Sequence, residues 1–284
     1  MRCDRKTNVS ARAEKPITAM FVRDPFSRVF SAYVDKLLSP NPIYWRQWGQ
    51  RAMKTDGLAT QHVRCGQGVT FQQFLRFINK NLHRHDTHVI PMTILCDVCE
   101  DHDVIGKMET FSGDLKYMMA LMDVSFKHDV QISREAKLDA IFDSIQGPFS
   151  WLKEIKPCIS TPEMGRRIWR KLQIRGLISN HIEYPFGKKD LSNMTREEYY
   201  EVAVQAHLRS TDKHKLSQQK KQAFIEAYRT VSFDTIRRYA QIFEDDFEAF
   251  GYEKAPTSLF DRDDSFVDTK ALDFNRPWVI PVSV

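Results

Sequence analysis

Between Ile17 and Leu37 the chain reads end to end as strand, turn and helix, and no other stretch restricts the fold so tightly. Ile17 to Val22 is a short apolar run of the β-rich kind found in buried strands. Asp24 and Pro25 then supply an N-cap and a first-turn proline, so a helix is expected to start there. From that point Phe26, Val29, Phe30, Tyr33, Val34 and Leu37 recur at three- and four-residue steps as one apolar stripe, while Ser27, Ser31 and Asp35 share the other side. Arg23 therefore stands at the carboxyl end of a strand beside a helix start, the crevice in which open α/β sheets place ligands. Backbone amides, helix dipole and guanidinium there all favour a phosphate. Ser31, two turns into the helix, can add a hydroxyl from the polar face. A buried α/β unit whose arginine only pairs with a carboxylate would show the same periodicity.

Other stretches fill in the outline. At 284 residues, 42% hydrophobic and 12% aromatic, the chain can bury one substantial α/β core. A helix is expected over 70–82, capped by Thr70, then a strand near 88–95, a second short strand from Val104 to Lys107 and a helix over 112–122. Helices should dominate 125–215. Thr195 with Glu198 reads as a capping box, and Ser217 as the start of a long helix that breaks near Val231 and ends at Gly251. Residues 39–49 read as an irregular loop whose Tyr44, Trp45 and Trp48 could stack on a sugar or simply pack over the loop. The expected division is a disordered segment over 1–16, one domain over 17–252 and a C-terminal extension over 253–284.

The net charge of +5 and a pI near 8.9 suit polyanionic partners such as sulfated glycans or a nucleotide. Nucleic acid is not the expected partner: no helix-turn-helix, zinc-finger or RNA-recognition signature is visible, and 42 basic residues are balanced by 37 acidic ones. Residues 213–222 read as a solvated basic face. Residues 165–175 interleave Ile168, Trp169, Leu172 and Ile174 with arginines, and so either flank an acceptor groove or dock a helix. Five cysteines occur, at 3, 65, 96, 99 and 158, and the Cys96/Cys99 pair near His83, His85, His88 and His102 permits zinc as well as disulfides.

The spacing of Arg23 and Ser31, inside the pattern R-[DE]-P-F-x-R-x-x-S-A-[YF], resembles the 3′-phosphate-binding motif of Golgi carbohydrate sulfotransferases, in the group that contains the chondroitin 4-sulfotransferases and the HNK-1 sulfotransferase. A second block strengthens it: His88, Pro91, Leu95, Cys96, Cys99, Asp103, Ile105, Gly106, Lys107, Glu109 and Thr110 fall on positions of the family's H-W-x-P-x-x-x-L-C-x-x-C and Y-D-x-I-G-K-x-E-T blocks, with Val89 in place of the tryptophan. Residues 69–78 and 246–252 are weaker echoes. The resemblance implies a P-loop-NTPase-like α/β sulfotransferase fold, a central parallel sheet flanked by helices with a helix-rich C-terminal half. It implies transfer of a sulfuryl group from 3′-phosphoadenosine 5′-phosphosulfate (PAPS) to a glycan hydroxyl, with Arg23 and Ser31 holding the 3′-phosphate and no metal required.

Sulfuryl transfer needs a base, and His88 is the candidate. Lys107 and Glu109 either position a substrate or form an ion pair under the sheet, and Arg28 is expected to face solvent. The family's P-K-[VA]-x-C-[ST]-N-W-K loop, which grips the 5′-phosphosulfate, is not found ahead of Arg23, so the chain reads as N-terminally incomplete relative to the family. The resemblance also implies Golgi lumenal residence as a type II membrane protein, with membrane association only through an anchor absent from this sequence: no run reaches the roughly 20 apolar residues of a span. A lumenal setting favours disulfides over zinc, with Cys96 or Cys99 bridging to a distant partner, and suits the sequons at Asn8 and Asn193.

Overall fold

The computed structural model of the chain describes residues 17–57, 65–80, 86–95, 102–124, 129–186 and 194–261, and within them every side chain except those of 129–133. Cys3, Cys96, Cys99, His83, His85 and both sequon asparagines lie outside the described residues.

The strand β1 (Ala19–Val22) leads directly into helix α1 (Pro25–Tyr33), which continues as a π-helical turn over Val34–Leu38. There follow α2 (Pro42–Tyr44), a second π-helical turn over Trp45–Gly49, α3 (Gln50–Thr55), α4 (Phe71–Lys80) and α5 (Met92–Leu95). Strand β2 (Val104–Lys107) and α6 (Phe111–Leu121) precede α7 (Asp129–Ser150), α8 (Leu152–Ile155) and α9 (Thr161–Ile174). The C-terminal half continues with α10 (Arg196–Arg209), α11 (Lys213–Arg229), α12 (Phe233–Ile242), α13 (Glu244–Ala249) and α14 (Thr257–Phe260). Strands β1 and β2 pair in parallel, Ala19 opposite Val104 and Val22 opposite Lys107, so the chain is α/β with a small parallel sheet and a helix-rich remainder.

The apolar stripe of α1 is the centre of the core. Phe26, Val29, Phe30 and Tyr33 are all buried, ringed by Phe71 and Phe74 of α4, Tyr228 of α11, Tyr239 of α12 and Phe247 of α13. Three buried tyrosines satisfy their hydroxyls on main-chain carbonyls: Tyr239 on Pro25 (2.9 Å), Tyr228 on Phe26 (2.9 Å) and Tyr33 on Val69 (2.9 Å). Two of those carbonyls belong to the first turn of α1, so helices from the far end of the sequence fix the strand-to-helix junction.

Three sequence expectations change here. Residues 42–49 are helical rather than irregular, because Asn41 caps α2 through its side chain and Pro42 sits at the first helical position, where a proline starts a helix instead of breaking it. Residues 88–95 form a turn followed by α5, not a strand. Asp246 imposes this by accepting the Met92 and Thr93 amides (2.8 and 2.9 Å) and the Thr93 hydroxyl (2.8 Å). The long helix expected from Ser217 begins at Lys213, with Asp212 as its cap; its break near Val231 is present. The reciprocal capping box of Thr195 and Glu198 forms as expected. A disulfide joins Cys65 to Cys158. Beside it Gly66 adopts φ +82° with its backbone against the Trp45 carbonyl and Gly49, a fit that any Cβ would spoil.

Candidate functional site

At the end of β1 the Asp24 carboxylate accepts the Ser27 amide (2.7 Å), and Pro25 opens α1. Arg23, half-buried just before this cap, forms no ion pair with a described residue. Burial pushes its pKa below arginine's ordinary value, with Arg175 adding like-charge repulsion and Glu109, Asp24 and Tyr252 opposing it. Glu109 closes the junction from β2's end: its carboxylate accepts the Asp24 amide (3.1 Å) and the Tyr252 hydroxyl (2.8 Å). Lys107 does not pair with Glu109 under the sheet. Its ammonium lies 4.5 Å from the centre of the Tyr252 ring.

Ser31 is half-buried on the side of α1 that it shares with Asp35. Asp35 bridges Lys171 of α9 (2.5 Å) and Lys36 (3.0 Å). Burial alone would raise the Asp35 pKa, but the two ammoniums overcome it and hold the carboxyl at about 2. The face predicted to be polar thus meets α9 through Asp35, whose side chain is still 44% exposed.

His88 stands on the turn before α5. Arg28, expected to face solvent, instead clamps this turn to α1, donating to the carbonyls of Ile90 (2.5 Å) and Thr87 (3.0 Å). The His88 ring lies 2.9 Å from an Asp86 carboxylate oxygen through Nδ1, and the Tyr44 hydroxyl is 3.4 Å from the same nitrogen. Trp48 donates its indole N–H to the other Asp86 oxygen (3.1 Å). Trp45 and Trp48 are themselves 0% and 2% exposed, so their faces serve the core and are closed to a sugar. Tyr44, half-buried, keeps an accessible edge beside His88. Asp86 was missed by sequence reading; its only signal was a carboxylate two residues ahead of the histidine.

Arg23 therefore stands just ahead of α1 and Ser31 within it, eight residues on, while Arg28 ties the turn that carries His88 to the same helix. Among the described residues no group of three or more His, Cys, Asp or Glu side chains is placed to hold a metal, and no helix is long and apolar enough to cross a membrane.

A parallel β-α junction followed by a helix-rich remainder defines an α/β protein. Residues 4–147, half of the chain, match the profile of the sulfotransferase family, and the chain belongs to that family. It is similar to human carbohydrate sulfotransferase 8, with 32% identity over 109 residues, covering 36% of this chain and 26% of that protein. It also resembles zebrafish (Danio rerio) carbohydrate sulfotransferase 14, 32% identical over 104 residues, 35% of this chain and 28% of that protein. For rat (Rattus norvegicus) carbohydrate sulfotransferase 11 the identity is 30% over 125 residues, 41% of this chain and 36% of that protein. The chain spans about a quarter to a third of the length of these curated relatives. No solved structure matches it.

Proposed function

We propose that the chain binds PAPS and transfers its sulfuryl group to a glycan hydroxyl, of the chondroitin, dermatan or glycoprotein kind, in the Golgi lumen. The observation that carries this reading is Arg23, without an ion pair among the described residues at the mouth of the β1–α1 junction, with Ser31 on the helix that follows and relatives that are named as carbohydrate sulfotransferases. The Cys65–Cys158 disulfide suits an oxidising lumen.

In this reading Arg23 and Ser31 grip the 3′-phosphate and so fix where the phosphosulfate end of the nucleotide lies. PAPS is the co-substrate: as the glycan oxygen bonds to sulfur, the sulfur–oxygen bond to the 5′-phosphate breaks and adenosine 3′,5′-bisphosphate leaves. His88 takes the proton of the attacking hydroxyl: with Nδ1–H donating to Asp86, Nε2 carries the free lone pair. Asp86, itself held by Trp48, fixes that tautomer and steadies the imidazolium as it forms.

The test is incubation of the purified chain with radiolabelled PAPS and desulfated chondroitin, beside the Arg23→Ala and Ser31→Ala variants. Label should move to the glycan with the unaltered chain and fall away with either variant. Nucleotide binding without any transfer would refute the enzymatic half of the reading.

A further inference from the structure

We infer that Arg175 and Lys220, which lie beyond the stretch matching the family, converge with Arg23 on Ser31 and complete a three-cation site for a phosphate dianion. The inference rests on the nucleotide reading above and adds to it the groups that neutralise the phosphate.

Two helices deliver these side chains by registers that can be followed residue by residue. Helix α9 runs antiparallel to α1 and its π-helical extension: Arg167 donates to the Leu38 carbonyl (3.3 Å), and Lys171, one turn on, pairs with Asp35 (2.5 Å). One further turn brings Arg175 level with Ser31, which precedes Asp35 by one turn. Helix α11 approaches from its own side, also antiparallel. The Tyr228 hydroxyl binds the Phe26 carbonyl (2.9 Å), and Phe224 meets Phe30 edge-on with ring centres 5.7 Å apart. Lys220 is the next residue of that stripe, level with Val34, which follows Ser31 by three residues on the same helix.

The two cations are held next to each other. Gly176 (φ +66°) turns the chain sharply after Arg175, and a Cβ built on it would lie 3.4 Å from the Lys220 stem and 3.0 Å from the Leu216 carbonyl. Gln219 ties the same turn to α11, donating to the carbonyls of Gln173 (2.5 Å) and Ile178 (2.9 Å) and accepting the Asn180 amide (2.8 Å). Arg175 is steadied by the Ser144 hydroxyl at 3.2 Å.

Charge balance then asks for an anion. Among the described residues Arg23, Arg175 and Lys220 form no ion pair, whereas the neighbouring Lys171, Lys36 and Arg167 all do. Glu109 is the acid shared by the surroundings of Arg23 and Lys220, and both its oxygens are already engaged at the Asp24 amide and Tyr252. The Lys220 pKa is pushed down by the protein crowded about its ammonium and then by Arg23 and Arg175, the mark of like charges gathered with too little counter-charge. Arg175 and Lys220 both reach solvent, so a ligand can enter. A phosphate monoester dianion meets all three cations and the Ser31 hydroxyl at once.

Calorimetric titration tests this with adenosine 3′,5′-bisphosphate against adenosine 5′-phosphate, which lacks the 3′ group. Arg175→Gln and Lys220→Gln should each weaken the bisphosphate at least about tenfold, as expected for a hydrogen bond to a charged group, and leave the monophosphate within about twofold. Arg175→Lys should recover part of the loss, and Lys215→Gln, an exposed lysine on the same helix, should cost nothing. Unchanged bisphosphate affinity in both glutamine variants, with Arg23→Ala still defective, would overturn the inference and leave the nucleotide reading standing. Inorganic phosphate alone should raise the unfolding temperature of the unaltered chain more than that of either variant. If it does while neither nucleotide binds, the three-cation site holds and the nucleotide reading falls. If phosphate gives equal shifts in all three proteins, the site is refuted.

Discussion

Asp35 shows how single residues set both the stability of this site and its chemistry. Its carboxyl is held at about 2 against an ordinary 3.8, so the contribution to stability is complete above about pH 4 and is lost as pH falls through about 2. Asp35→Asn should therefore flatten the acid limb of a stability-versus-pH curve in that window, by a modest amount because the side chain is 44% exposed. His88→Ala should lower kcat by about 100- to 10,000-fold with nucleotide affinity unchanged, the range for a lost general base. Asp86→Asn should cost at least about tenfold in kcat by freeing the ring tautomer; steady-state rates paired with titration calorimetry separate these effects from binding. Arg23, Ser31 and His88 were open to nomination from sequence because each lies within a short local pattern. Arg175 and Lys220 were not, since their placement depends on which helices meet α1, and neither periodicity nor spacing reports a contact made across 136 or more residues; Asp86 stands two residues from His88, but no local pattern marks it as the partner of that ring.

At the scale of elements, the best-read segments were those whose signals are local. Strand β1, helix α1, strand β2 and helix α6 follow from apolar periodicity and caps within their own few residues. The 88–95 segment was misread because its helix is specified by Asp246, which lies 154 residues from Met92. Asp246 is 2% exposed, so Asp246→Ala strands the half-buried Met92 amide and the buried amide and hydroxyl of Thr93. The loss should be about 2–4 kcal/mol, seen as a lower urea midpoint, and hydrogen exchange at the Met92 and Thr93 amides should quicken. The prolines of 39–49 misled for a different reason: their position at a helix start, not their presence, decides what they do.

Across the whole molecule, α1 is held from three directions, by α4, by α9 and by the α11–α13 group, and the chain's distant halves meet on it. The Cys65–Cys158 disulfide closes a separation of 93 residues between the segment ahead of α4 and the segment ahead of α9. Removing it by Cys65→Ser with Cys158→Ser should lower the unfolding free energy by about 4.6 kcal/mol on the chain-entropy account, measured by urea denaturation without reductant. Sequence reading gave the α/β class and the helix-rich second half but not this pairing, because spacing alone does not select one partner among five cysteines.

A crystal structure of the chain with adenosine 3′,5′-bisphosphate tests the central claim most directly. The account predicts the 3′-phosphate at the β1–α1 junction, its oxygens about 3 Å from both the Arg23 guanidinium and the Ser31 hydroxyl. A nucleotide bound with its 3′-phosphate away from either group would contradict it.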